Sequence, residues 1–125
     1  MGAGRKISIA KTVTFLAGGV IVADTFVKLD SNGAVVQSTD GAEVIGVAQH
    51  AAASGAYVEV AIQNAGNIVK VASGAAVTQG AKVASKSDGK CIDAAAADIE
   101  VGQALEGSGA EDEYAIILLM RAGTA

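Results

Sequence analysis

Side chains that could do chemistry are few in this chain and lie far apart. His50 is the only histidine and Cys91 is the only cysteine. A catalytic triad needs a nucleophile, a base and an orienting group, and a zinc site needs several ligands. One histidine and one cysteine supply neither set. We therefore expect His50 to be a surface or loop residue, Cys91 to be a buried and inert thiol, and the chain not to be an enzyme.

Two acidic motifs deserve the same test. The motif Asp30-x-Asn32-Gly33 contains part of a calcium-loop pattern, but the bidentate glutamate that the loop requires further along is missing. The run Glu111-Asp112-Glu113 places like charges side by side, which predicts a solvated hairpin tip. A weak cation site or a contact with a basic partner is the alternative for this run. The sequence therefore predicts no metal site and no cofactor.

The N-terminal segment is the better functional candidate. It is basic, although the chain has a net charge of −4. Apolar and polar residues alternate from Ile7 to Phe15, which indicates a β-strand. Such an arm can add a strand to the sheet of a neighbouring protein, with backbone hydrogen bonds providing the affinity. An ordinary edge strand is the alternative. The predicted contact residues are Arg5, Lys6, Ile7, Ile9 and Lys11.

The elements that position these residues occur in two copies. Gly33 and Gly89 are related by a constant shift (89 − 33 = 56), and the same shift relates Val27 to Val83 and Gly46 to Gly102. No gap is needed from residue 12 to the C-terminus, so Val58–Val60–Ile62 match Tyr114–Ile116–Leu118. We expect an N-terminal arm and first strand over 1–17, a first β repeat over 12–66 and a second over 68–122, all in one folded domain. A repeated β scaffold favours binding over catalysis.

Every strong segment of the sequence is typical of β structure. Asn-Gly in Asp30-Ser31-Asn32-Gly33 and Asp-Gly in Lys86-Ser87-Asp88-Gly89 predict tight hairpin turns. Gly46 and Gly102 lie mid-strand, which indicates a bulge, a barrel corner or close backbone approach. Residues 94–97 are expected to form a loop or one helical turn, and 64–67 a turn. The predicted fold is all-β, a small barrel or sandwich with little or no helix.

Composition restricts the possible partners. Hydrophobic residues make up 51% of the chain but aromatic residues only 3%, so the core is built from small side chains. Such a core stabilises the fold weakly, and oligomerisation would compensate. The negative net charge argues against direct binding to nucleic acid. No apolar run approaches the ~20 residues of a transmembrane helix, so no membrane partner is expected.

The order of these motifs resembles a known family. It comprises Gly18-Gly19, the strand and hairpin of 25–33, the strands of 44–48 and 54–62, and a second round over 69–118. In this order the chain resembles the small capsid decoration (cement) proteins of tailed bacteriophages. The resemblance implies a structural virion protein on the outer surface of the capsid. There it would bind the expanded head, commonly as a homotrimer, and stabilise the shell by bridging neighbouring major capsid subunits. The N-terminal arm would then contact the major capsid protein.

Two other functions are open at this point. One is a virion- or cell-surface β-domain that binds carbohydrate or a receptor. It is disfavoured because the chain has no tryptophan, and Tyr57 and Tyr114 are nearly the only candidates for stacking on a sugar. The other is a small enzyme that uses His50 or the acidic run at 111–113.

Overall fold

The computed structural model describes residues 7–124, and within them the chain forms ten β-strands and no helix. The strands are β1 (Thr12–Leu16), β2 (Phe26–Leu29), β3 (Val35–Gln37), β4 (Gly46–Ala48), β5 (Tyr57–Ile62), β6 (Ile68–Ala72), β7 (Lys82–Ser85), β8 (Cys91–Asp93), β9 (Ile99–Glu106) and β10 (Tyr114–Thr124). The predicted all-β class is confirmed.

The strands form two five-stranded antiparallel sheets, and each sheet is built from one half of the chain. The first sheet has the order β1-β5-β4-β2-β3, and the second has the matching order β6-β10-β9-β7-β8. Equivalent strands begin at residues 12 and 68, 26 and 82, and 35 and 91, so the shift of 56 holds for them. The arrangement is sandwich-like and is not a closed barrel, because neither sheet joins its own edges.

The last strand departs from the constant shift. Leu16 pairs with Tyr57 in the first sheet, whereas Ala72 pairs with Tyr114 in the second. Tyr57 and Tyr114 are therefore equivalent (114 − 57 = 57), and β10 lies one residue later than β5 predicts. The ungapped match of Val58–Val60–Ile62 with Tyr114–Ile116–Leu118 is wrong by one residue.

The extra residue lies in the turn before β10. The bridges Ile21–Ala52 and Val77–Ser108 still differ by 56 at both ends. Gly55 and Asp112, which have positive φ angles of 87° and 68° and donate to equivalent carbonyls, differ by 57. A turn accepts an added residue without any change in the core. Because β10 is apolar at every position from 115 to 119, alternation could not reveal the shift.

Both predicted hairpin turns and the close approach at the strand glycines are present. Gly33 and Gly89 have φ angles of 79° and 78°, which glycine adopts without steric cost. A Cβ atom on Gly46 would lie 2.9 Å from Val60 Cγ1 and would collide with the Ala61 carbonyl oxygen. On Gly102 it would lie 2.8 Å from the Leu118 oxygen. These glycines let β4 and β9 lie against their neighbouring strands.

The first strand is shorter than predicted, and 94–97 is a loop. Instead of a strand from Ile7 to Phe15, the structure has β1 from Thr12 and one isolated bridge between Ser8 and Ile68. The reason is that Ala10 and Lys11 donate their backbone N–H groups to the Asn67 side chain and not to a neighbouring strand.

Two clusters of small apolar side chains form the core. The joint core combines Phe26, Val44, Val47 and Ala61 of the first half of the chain with ten buried residues of the second half. A separate cluster belongs to the first half of the chain alone and contains Ala17, Ile21, Val27, Val35, Ala48, Val58 and Val60. Valine and alanine dominate both, as the composition predicts.

Candidate functional site

The N-terminal segment, residues 7–11, lies along the outer edge of the second sheet. The backbone of Ser8 both donates to and accepts from Ile68, at 2.9 Å in each direction. Ile7, Ile9 and Lys11 are exposed, with Ile7 at 44% and Ile9 at 47%. Arg5 and Lys6 lie outside the described residues. The structure thus brings three of the five predicted contact residues together on one exposed segment.

Asn67 holds this segment, and sequence reasoning missed it. The side chain is fully buried, and Oδ1 accepts the N–H groups of Ala10 (2.6 Å) and Lys11 (2.9 Å). Nδ2 donates to the carbonyls of Lys11 (2.7 Å) and Ile62 (2.9 Å). Asn64-Ala65-Gly66-Asn67 suggests only a turn, as predicted. The residue type at position 67 is the one signal in the sequence for this role in holding the segment, because a turn does not require a side-chain amide at that position.

The two residues considered for catalysis, His50 and Cys91, differ in burial. His50 is exposed, and its Nε2 lies 3.3 Å from the Glu59 backbone nitrogen, so it is a surface residue as predicted. Cys91 is buried in the joint core, and burial raises the pKa of its thiol to about 12. Because the thiolate is the nucleophile, Cys91 is inert near neutral pH, as expected. Within residues 7–124, no three His, Cys, Asp or Glu residues come close enough to hold a metal ion.

The acidic run forms an exposed tip that meets a basic residue of its own chain. Lys90 Nζ lies 2.7 Å from Asp112, 3.9 Å from Glu111 and 3.7 Å from Asp88. The hydrogen bond to Asp112 is the main cause that raises the pKa of Lys90. The tip is a solvated turn as predicted, and the positive charge beside its carboxylates is that of Lys90.

The calcium-like motif is explained by its turn. Asp30 Oδ1 accepts the backbone N–H groups of Asn32 (2.8 Å) and Ala34 (3.0 Å). One carboxylate oxygen is therefore occupied in closing the hairpin. This arrangement is a turn motif that accounts for all three residues.

The two tyrosines lie on different sheets. Tyr57 is 71% exposed, beside the exposed Leu16. Tyr114 is 43% exposed, and Lys70 Nζ lies 4.9 Å from the centre of its ring. The two rings therefore do not have equal access to a ligand.

Comparison with known proteins gives the family. The model of the phage cement protein family matches residues 7–120, which is nearly the whole described chain. The chain belongs to the phage cement protein family. This confirms the resemblance that the order of strands, turns and glycines indicated, and it makes the chain a structural virion protein.

The fold of this cement protein is also similar to that of a solved structure. The N base of the head fiber gp8.5 in bacteriophage phi29 superposes with a TM-score of 0.73 at 14% sequence identity. The similarity covers 92% of this chain and 98% of that one. No curated protein sequence matches the cement protein. In the described part of the chain, no helix has the length and apolarity that crossing a membrane requires.

Proposed function

We propose that this cement protein binds the exterior of the expanded phage head as a homotrimer and stabilises it by bridging neighbouring major capsid subunits. The observation that carries the proposal is the family match over residues 7–120. Phage DNA packed inside a shell presses the subunits apart. A protein bound across a subunit boundary adds contact area that must be lost before the subunits separate.

The N-terminal segment is the proposed capsid contact, comprising Arg5, Lys6, Ile7, Ile9 and Lys11. Three properties support this role: the two isoleucines are about half exposed, Lys11 is exposed, and the segment is fastened to the folded body through Ser8 and Asn67. Fastening reduces the conformational entropy that the segment would lose on binding. Three such segments in a trimer would make weak individual contacts long-lived.

Co-sedimentation with undecorated heads tests the proposal. We expect saturable binding to expanded heads, at a fixed stoichiometry, and no binding to compact heads. Absence of binding to either form would refute decoration. Binding that leaves the temperature of DNA release unchanged would refute stabilisation by bridging.

A pair of variants tests the contact residues. Replacing Ile7 and Ile9 together by aspartate should weaken head binding, because the apolar part of the contact is lost. The matched control is Val20→Asp, since Val20 is also an exposed apolar residue, at 71%, and lies outside the segment. Equal binding by both variants would refute the role of the segment.

The geometry gives less support to carbohydrate binding. Sugar-binding sites commonly use exposed aromatic rings, and among the four aromatic residues Tyr57 alone presents a largely exposed ring without a cation beside it. No further aromatic residue is available to form a second wall of a sugar site. We also propose that the chain has no catalytic activity, which agrees with the burial and raised pKa of the Cys91 thiol.

A further inference from the structure

The two sheets are joined by different surfaces, one from each half of the chain. Three backbone hydrogen bonds show this: Ala72 N to Asp24 O (2.8 Å), Phe26 N to Gly89 O (2.7 Å) and Gly41 N to Ser85 O (2.8 Å). The second sheet contributes residues 72, 85 and 89, and the first half contributes residues 24, 26 and 41. An ion pair between Lys70 and Asp24, at 3.8 Å, lies at the same junction.

The reciprocal contacts are not made. The shift of 56 relates 72, 85 and 89 to Leu16, Leu29 and Gly33, which we call the forward face. It relates 24, 26 and 41 to Gly80, Lys82 and Ala97, which we call the rear face. Among the described residues, no hydrogen bond joins the forward face to the rear face. Gly33 is exposed where Gly89 is buried, and Gly80 and Ala97 are exposed as well.

The unused faces keep the backbone shape of the used ones. Gly41 and Ala97 both have positive φ, at 62° and 71°, and so do Asp24 and Gly80, at 60° and 85°. Positive φ is uncommon for alanine, so Ala97 keeps the conformation of its counterpart although its side chain disfavours it. The rear face therefore presents the same backbone outline that binds the second sheet inside the chain.

The forward face carries two exposed leucines and borders an open groove. Leu16 and Leu29 are 45% and 47% exposed, where their counterparts are Ala72 and the buried Ser85. An open groove of about 520 Å³ lies beside Leu29. It is lined by Lys28, Ala42, Glu43, Val44 and Ile45 of the first half and by Ile99 of the second half.

The equivalent place on the second sheet is filled. There Gly41 accepts a hydrogen bond from Ile99 N at 3.0 Å, donates to Ser85 O, and lies against Asp98. These three residues are the counterparts of Glu43, Leu29 and Ala42. The groove is thus equivalent to the place on the second sheet where Gly41 lies. The residue equivalent to Gly41 is Ala97, so Ala97 is the residue that would fit the groove.

We propose that the forward face of one copy of this chain binds the rear face of a second copy and repeats the contact between the two sheets. Leu16 N would donate to Gly80 O, Lys82 N to Gly33 O, and Ala97 N to Leu29 O, with Ala97 in the groove. The proposed occupant is a second copy of the chain, because its rear face has the same backbone outline as the surface that binds the second sheet within the chain. The faces differ from each other, so the contact is heterologous, and its repetition gives a closed ring or an open chain. A ring of three copies would be the homotrimer of the proposed function.

Three differences make the contact between copies weaker than the one within the chain. The Lys70–Asp24 ion pair has no counterpart, because the equivalent residues are Thr14 and Gly80. Gly80 O already accepts a hydrogen bond from Gln103 Nε2 of its own chain at 3.0 Å, so Leu16 N would have to share this acceptor. Gln37 Nε2 donates to Asp88 O at 3.1 Å within the chain, but its counterpart on the rear face is Asp93, which cannot donate when ionised. The assembly is therefore expected to be reversible and to depend on concentration.

Sedimentation velocity of the full chain over a concentration series tests the proposal without any capsid. Leu29→Glu blocks the forward face. Ala97→Glu blocks the rear face because its longer, charged side chain would lose its hydration in the groove, where Glu43 is already paired with Arg121 at 2.6 Å. Val20→Glu is the matched control, since Val20 is exposed and its counterpart Ala76 is exposed too, outside both faces. The loss of hydration of a carboxylate in the contact should weaken association on the order of a hundredfold.

The expected result is distinctive for a contact between two different faces. The unsubstituted chain and Val20→Glu assemble, whereas each blocked variant alone stays monomeric. A mixture of the two blocked variants forms a heterodimer and nothing larger, because one intact face remains on each chain. Leu16→Glu serves as a second forward-face variant if Leu29→Glu unfolds. An unsubstituted chain that stays monomeric, blocked variants that assemble normally, or a mixture that stays monomeric would each overturn the proposal.

Discussion

Replacing Asn67 by alanine should release the N-terminal segment and destabilise the whole chain. The Asn67 amide makes four hydrogen bonds, to two backbone N–H groups and two carbonyls of residues 10, 11 and 62. Alanine makes none of these bonds. The substitution therefore removes the link between the segment, the end of β5 and the start of β6.

The expected loss follows from the number and burial of these bonds. Each hydrogen bond contributes about 1 kcal/mol net, and a buried group that is left without a partner costs more. Ala10 and Lys11 are exposed residues, so water can replace part of what their backbone groups lose. We therefore expect the free energy of unfolding to fall by about 3 kcal/mol. For a chain of this size, that corresponds to a decrease in Tm of about 10–15 °C.

Urea denaturation followed by circular dichroism measures the change, and trypsin cleavage after Lys11 measures release of the segment. Asn32→Ala is the matched control, because Asn32 is exposed in a turn and only its backbone N–H is hydrogen-bonded. The control should change the free energy of unfolding by less than about 0.5 kcal/mol. The reasoning is refuted if Asn67→Ala also stays within that limit.

Asn67→Asp adds a test by pH. A carboxylate would keep the two acceptor contacts but would face the carbonyl oxygens of Lys11 and Ile62, so burial and repulsion should raise its pKa in the folded state. A raised folded pKa means that the variant is least destabilised below the unfolded value of about 3.9 and loses stability as pH rises through the folded value. Destabilisation that is equal at pH 4 and pH 7 would contradict this account.

Three further predictions test the rest of the structure. Gly46→Ala should lower the free energy of unfolding by about 2–3 kcal/mol in urea denaturation, because its Cβ meets the Ala61 backbone, whereas Gly19→Ala should be nearly neutral because nothing lies within 4 Å of its Cβ position. Cys91 should not react with a thiol reagent in the folded chain at pH 8. Because its folded pKa of about 12 lies above its ordinary value of 9.0, the stability that it contributes should be full below pH 9.0 and lost as pH rises toward 12, and a Cys91→Val variant should not show this loss. Lys90→Met should lower Tm at low ionic strength by leaving Asp88, Glu111 and Asp112 to repel one another, and a decrease that persists in high salt would argue against this electrostatic cause.

Local patterns in the sequence predict most of the strands and turns, although β1 begins five residues later than predicted. The hairpins at Gly33 and Gly89 follow from turn chemistry, and the close strand approach at Gly46 and Gly102 follows from glycine in mid-strand. Cys91 and His50 were placed correctly because a lone residue in a β or alanine-rich context has few other roles. Family membership followed from the order of these same elements.

Features that depend on contacts between distant residues could not be predicted. The extra residue before β10 leaves the apolar pattern unchanged, so alternation alone gave the wrong match for Tyr114. The role of Asn67 depends on residues 10 and 11, more than fifty positions earlier. The difference between the forward face and its counterpart depends on how the two sheets meet, which two similar sequences do not specify.

The first half of the chain has a separate cluster of seven buried residues, so the two halves should differ in how readily they unfold locally. The clustered residues of the second sheet all belong to the joint core, so that sheet loses the support of Phe26, Val44, Val47 and Ala61 once the sheets part. The first sheet loses the joint core as well but keeps Val58 and Val60 packed in its own cluster. In native-state hydrogen exchange, the amides of β5 should therefore outlast those of β10. Partial unfolding should therefore begin in the C-terminal half of the chain.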